Sequence, residues 1–183
     1  MSSFTFEKLN LPGLILIEAK SYLDQRGFFL EQYKRSVFKE QGIKADFVQD
    51  NHSYSQKQVL RGVHYQAEPF AQGKLVMVIK GKIWDVAVDL RRDSSTFKKW
   101  VGVELSSENH KMLYLPTGFG HGFVSLEDDT HVYYKCTAEY STSAERGIIW
   151  NDQTLDIKWP VERPIISEKD LALPVFTKEI DLF

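Results

Sequence analysis

Apolar residues come along the chain in short runs, broken about every ten residues by clusters of Gly, Asn, Asp and Ser, the habit of a β-sandwich or barrel. The runs predict strands at Leu14–Ala19, Gly27–Tyr33, Ala45–Asn51, Val59–Gln66, Lys74–Lys80, Lys82–Leu90, Trp100–Leu105, Met112–Leu115, Gly122–Leu126 and His131–Glu139. Within Ile83–Leu90 the alternation is clean: Trp84, Val86, Val88 and Leu90 share one face, and Asp85, Ala87 and Asp89 the other. Lys80-Gly81-Lys82 reads as a tight hairpin. Two segments read as helix. One is Ser36–Gln41, with Ser36 as its cap and Gly42 as its stop. The other starts at Ser167, where Ser-Glu-Lys-Asp170 resembles a capping box, and stops before Pro174. The chain around Trp150 and Trp159-Pro160 reads as irregular and wrapped over a barrel. The fold class is all-β, a double-sheet roll.

Composition narrows this further. A chain of 183 residues is read as a single domain spanning 1–183, long enough to bury about 70% of its unfolded surface. The aromatic content of 13% favours strands. With 23 basic and 25 acidic side chains there is no basic surplus, which excludes a general nucleic-acid binder. A lone cysteine, Cys136, excludes a disulfide framework and a cysteine-based zinc site. No window approaches a membrane span and the first residues do not read as a signal peptide, so a cytoplasmic protein is expected.

Two of the five histidines stand out. His64 lies in Leu60-Arg-Gly-Val-His-Tyr-Gln66, within a predicted strand; His121 follows the Pro116-Thr-Gly-Phe-Gly120 turn. A lone histidine is ordinarily a packed, hydrogen-bonded residue, but glycines beside both allow close approach of a ligand. Pro-x-Gly-x-x-His is similar to the second motif of the cupins, a superfamily of β-rolls. The first cupin motif normally holds His-x-His, and here it reads His64-Tyr-Gln66. Gln is a poor first-row metal ligand, so a site of His64, His121 and Glu68 is the minority reading beside His64 as a general base.

Arg26, Arg61 and Lys74 each adjoin a glycine, a pairing suited to phosphate oxygens, although surface cations are ordinarily just solvated. Arg61 fits that bland reading least, because it lies inside an apolar strand. Asp24–Phe29 and Phe47–Ser53 combine rings with amides. They read equally as a base-stacking surface or as core rings beside turns.

Taken together, Asp24–Phe29, Phe47–Ser53, Val59–Gln66, Gln72–Val76, Asp85–Arg91, Pro116–Phe123, Tyr134-Lys135 and Ser167–Asp170 resemble the dTDP-4-dehydrorhamnose 3,5-epimerase family, in family order over nearly the whole chain. The resemblance implies a cupin-type double-stranded β-helix (jelly roll) with two or more short helices, a homodimer, and no metal or organic cofactor. It further implies a dTDP-4-keto-6-deoxyhexose substrate, inverted at sugar carbons 3 and 5 through an enolate on the route to dTDP-L-rhamnose. By motif match His64 is the base, Asp170 its carboxylate partner, Lys74 the cation at the enolate oxygen and Tyr134 the proton donor. Arg26, Glu31, Gln49, Asp50, Asn51 and Arg61 would contact the nucleotide, with Phe28 as a stacking ring. His121, Glu145 and Lys169 match further substrate contacts. Some of these contacts come in the family from a neighbouring subunit.

Two departures are visible: Gly120 replaces the usual Ala, and no proline follows Tyr134 where one is common. Ideal alternation also sets Arg61 opposite His64, so a substrate role for both requires a bulge at Gly62 or a site spanning two chains. Two other classes compete, a metal-dependent cupin such as an oxygenase and a non-catalytic sugar-nucleotide binder. Simple binding has no need of the set His64, Lys74, Tyr134 and Asp170.

Overall fold

In the computed structural model, which describes residues 3–178 and 180–183, the chain folds as the expected β-roll. Its strands are β1 (Phe4–Lys8), β2 (Ile15–Ala19), β3 (Tyr22–Asp24), β4 (Gly27–Phe29), β5 (Gln49–Ser55), β6 (Leu60–Gln66), β7 (Lys74–Lys80), β8 (Lys82–Asp89), β9 (Trp100–Ser106), β10 (Lys111–Leu115), β11 (Phe119–Ser125), β12 (Thr130–Cys136) and β13 (Glu145–Gly147). Two short helices, α1 (Arg35–Glu40) and α2 (Glu168–Leu171), complete the described elements. One sheet has the order β1-β2-β10-β7-β12-β5 and the other β13-β6-β11-β8-β9, with β3–β4 a separate hairpin.

The two-residue period of a strand sorts the side chains into three apolar layers. Between the sheets, Val76, Val78, Leu113, Leu115 and Val132 meet Ile83, Ala87, Leu105, Phe119 and Phe123. The alternate residues of β7, Leu75 and Met77, face outward and are covered by Phe38 of α1. Burying that one ring is worth about 2 kcal/mol. The outer face of the second sheet carries Val86, Val88 and Leu90 of β8, covered by Ile157, Trp159, Phe176 and Phe183 of the irregular tail. The tail is held by Tyr65 donating to the Asp181 carbonyl at 2.7 Å and Arg92 to the Ile180 carbonyl at 2.8 Å. The alternation read for β8 therefore holds, and both of its faces are buried, so Asp85 and Asp89 are interior acids.

Three expectations are corrected. Lys80-Gly81-Lys82 is not a hairpin: β7 and β8 lie in different sheets, and Gly81, at φ +81°, turns the chain across the corner between them. A single residue between two strands is too short to fold them into one ladder, and here it lets the chain change layers instead. Helix α1 begins at Arg35 and encloses Ser36; the capping position is Lys34, whose side chain makes no cap bond. The strand expected at Ala45–Asn51 lies later, at Gln49–Ser55.

Candidate active site

The central local event is a bulge in β6. His64 pairs with His121 on β11, but Arg61 pairs with Phe123, so Gly62 and Val63 together oppose Gly122. The extra residue reverses the alternation, and Arg61 and His64 both line one cavity of about 470 Å³. Only glycine suits position 62. Its φ is +125°, and a Cβ there would collide with the Gly122 backbone and the His121 carbonyl.

That bulge also presents the Gly62 N–H to Asp170. One carboxylate oxygen of Asp170 accepts from Gly62 at 3.1 Å, and the other meets His64 Nε2 at 2.8 Å. The capping box is thus only half made. Ser167 Oγ accepts from the Asp170 N–H at 3.1 Å, while the Asp170 side chain turns away from the helix toward the histidine. Burial opposes the charge on Asp170, which is 5% exposed. The hydrogen bonds from His64 and Gly62 outweigh that and hold the carboxyl below its ordinary value. A carboxylate so depressed adds stability that is complete above its unfolded pKa, about 4, and is lost as pH falls through its folded value. In urea melts, the stability gap between wild type and Asp170→Asn is expected to hold at neutral pH and to narrow below about pH 4. A gap that stays constant with pH would contradict this.

The facing sheet contributes Lys74 from β7 and Tyr134 from β12. Cys136 pairs with Lys74 and Tyr134 with Val76, so both functional side chains point between the sheets, while Tyr133 packs outward with the α1 layer. The Lys74 ammonium lies 6.0 Å from the centre of the Tyr134 ring. Burial pulls the lysine below its usual pKa, against the influence of Cys136, Asp85 and Glu145. Burial also raises the Tyr134 phenol, with Arg61 partly offsetting it. The phenol therefore remains protonated at neutral pH, as an acid must. Arg61 donates to Ser55 Oγ at 3.1 Å and to the Tyr54 carbonyl at 3.0 Å. His121, 6% exposed, meets Asp85 Oδ1 through Nε2 at 2.6 Å, and burial lowers its pKa despite that partner.

A second chamber of about 260 Å³ adjoins the first, and both are lined by His64, Lys74 and Tyr134. Gln49 and Asn51 line it and bond each other at 3.0 Å. At its rim Lys169 pairs with Glu145 at 2.6 Å, and Tyr140 donates to the same carboxylate at 2.7 Å. Tyr140, Ser53 and Gln72 line the two chambers and were missed in the sequence. Tyr140 sits in the segment after Tyr134 where the family pattern breaks, and Ser53 and Gln72 lie at the ends of family-like stretches that carried no individual role for them.

Four of the expected substrate residues lie elsewhere in this chain. Asp50 points to the other face of β5 and pairs with Lys135 at 2.7 Å, because alternation sets it against Gln49 and Asn51. Arg26 pairs with Asp24 at 2.6 Å in the exposed hairpin, and Phe28, 61% exposed, packs its ring 5.3 Å from that of His110. Glu31 is 3.9 Å from Lys34. Glu68 is exposed and does not line the cavity with His64 and His121. Among the described residues no group of three or more His, Cys, Asp or Glu side chains is placed to hold a metal ion.

A roll whose interior joins a carboxylate-held imidazole, a phenol and an ammonium belongs with the cupin-like isomerases. The sequence model of the dTDP-4-dehydrorhamnose 3,5-epimerase family matches residues 8–178, and the chain belongs to that family. It is 52% identical over 165 residues to the dTDP-4-dehydrorhamnose 3,5-epimerase of Shigella flexneri, covering 90% of this chain and 91% of that one. It is 45% identical, with a TM-score of 0.91, to the dTDP-6-deoxy-D-glucose-3,5-epimerase of Legionella pneumophila, solved in complex with dTDP-4-keto-L-rhamnose; the match covers 94% and 92% of the two chains. A 3'-monoepimerase from Streptomyces bikiniensis, solved with dTDP-quinovose, is 32% identical with a TM-score of 0.85, covering 91% and 85%.

Proposed function

We propose that the chain converts dTDP-4-keto-6-deoxy-D-glucose to dTDP-4-keto-L-rhamnose, in the supply of dTDP-L-rhamnose, and that residues 1–183 act as one catalytic domain. The observation that carries this reading is the convergence of the His64–Asp170 pair, Lys74 and the Tyr134 hydroxyl on one cavity. The ketone at carbon 4 acidifies the hydrogens at carbons 3 and 5. His64 takes the proton from carbon 3, the electron pair moves into the carbonyl, and Lys74 stabilises the oxygen that becomes negative. Tyr134 then returns a proton to the opposite face of the carbon. The imidazolium and the tyrosinate are reset by exchange with solvent, and the same steps follow at carbon 5. With Nε2 on Asp170, Nδ1 is the nitrogen of His64 that receives the proton.

Gln49, Asn51 and Arg61 suit the nucleotide half of the substrate, and His121, Glu145 and Lys169 serve as further substrate contacts around the two chambers. Tyr140 offers an exposed ring at the rim, anchored through its hydroxyl. Arg26, Phe28 and Glu31 reach a substrate only if the hairpin docks on a second copy. Its outward-facing Tyr22, Leu23, Phe28 and Phe29 support a homodimer in which each hairpin serves its neighbour's cavity. No helix among the described residues is long and apolar enough to cross a membrane. The cytoplasm, where nucleotide sugars are made, is the proposed location.

The decisive experiment is incubation with dTDP-4-keto-6-deoxy-D-glucose in heavy water, followed by NMR. Deuterium is expected at carbons 3 and 5. Label at carbon 3 alone would make the protein a mono-epimerase, and no label from folded protein that binds dTDP would overturn the reading.

A further inference from the structure

One strand over from His64, a second histidine–carboxylate pair borders the same cavity and takes no part in the proton transfers assigned above. Asp85 on β8 is wholly buried. Its Oδ1 holds His121, and its Oδ2 is buried with no hydrogen-bond partner among the described residues. An interior carboxylate with one oxygen unsatisfied weakens a fold, whereas an amide of the same shape carries no such charge. Stability alone therefore gives no reason for an acid at this position.

The surroundings of Lys74 supply one. Against burial, the groups acting on it are Cys136, Asp85 and Glu145, with His121 close enough to exchange charge effects and the Tyr134 ring alongside. Burial raises the Cys136 thiol, so it carries no full charge at neutral pH. Glu145 is already matched by Lys169. The His121 imidazole is pushed by burial toward its neutral form, so it is not a matching cation for Asp85. Asp85 is thus the carboxylate facing this interior that has no cation of its own, with one oxygen on His121 and the other unpartnered among the described residues.

We propose that Asp85 is a positioning residue for the epimerisation, orienting His121 toward the cavity and supplying the fixed negative charge that keeps Lys74 an ammonium while the enolate forms. This rests on the epimerase reading, and its test separates the two.

Asp85→Asn keeps the shape and an acceptor oxygen for His121 and removes only the charge. In protein carrying 13Cε-lysine, with the Lys74 signal assigned through Lys74→Arg, the Lys74 midpoint is expected to fall by about one pH unit in Asp85→Asn. The alkaline limb of kcat should move to lower pH by the same amount, with kcat down about tenfold and KM little changed. Asp85→Ala should also raise KM, because His121 loses its anchor. The melting temperature of Asp85→Asn is expected to stay at or above that of wild type. An unmoved Lys74 midpoint with a superimposable pH profile in folded Asp85→Asn would overturn the proposal, as would an activity loss that merely follows a lowered melting temperature. Wild-type protein that incorporates no deuterium would overturn the epimerase reading instead, and the lysine titration would still decide the charge coupling.

Discussion

His64→Ala is expected to slow deuterium incorporation at both sugar carbons by about 10³-fold while dTDP binding persists. No neighbour can replace the imidazole. Lys74 is needed as a cation, and the His121 ring is held by Asp85 with its proton affinity lowered by burial. The substitution also leaves Asp170 with Gly62 as its remaining cavity-side donor, so a loss of about 1–3 kcal/mol of stability is expected as well. Urea unfolding separates the two effects, since a protein destabilised by that amount is still folded at room temperature. Unchanged turnover in His64→Ala would sink the assigned mechanism.

Tyr134→Phe is the more diagnostic change. It deletes one hydroxyl, and that hydroxyl has no partner among the described residues, so the ring packs as before and stability should hold. Inversion should fall by about 10²-fold or more. Exchange should survive much better, because His64 still removes the proton and can return one from solvent to the same face. Substrate recovered from heavy water is then expected to carry deuterium with its original configuration, which NMR coupling constants read directly. Exchange and inversion lost in equal measure would place Tyr134 in binding rather than in proton delivery.

β7 and β8 were the most legible strands of this chain, whereas β11, buried at every position, was expected only from Gly122 because Gly120 and Gly122 interrupt its apolar beat. β7 was bounded at Lys74 and Lys80 as observed, and the β8 faces were sorted correctly, because apolar alternation records burial directly. β5 was displaced for the opposite reason: Gln49, Asn51 and Ser53 point inward toward a polar cavity, so the strand lacks the apolar beat. The same alternation that placed Gln49 and Asn51 in the site sends Asp50 out of it. Motif adjacency does not record that distinction. The Gly81 corner was misread because a tight turn looks alike whether its strands pair or part. The mismatch between Arg61 and His64 was visible in advance and left two resolutions, a bulge at Gly62 or a site spanning two chains; the bulge is present. Asp85 was legible as a member of a family-like stretch on the same side as Asp89, a place from which it could support the base or line the pocket, but a period of two reports the face and not its depth.

The distance in sequence between the two halves of the His64–Asp170 pair has a bearing on biosynthesis. The base is laid down about a third of the way along, but its carboxylate arrives on α2, after every strand of both sheets. Synthesis runs from the N-terminus at about 5–20 residues per second, and both sheets can therefore associate before Asp170 has left the ribosome. A nascent chain at that point has the His64 strand in place and no partner to fix the histidine's tautomer. Chemical competence thus comes as a last event, coincident with docking of the tail, and a chain stalled or cut before residue 170 would lack both a working base and the cover that Phe176 and Phe183 give the second sheet.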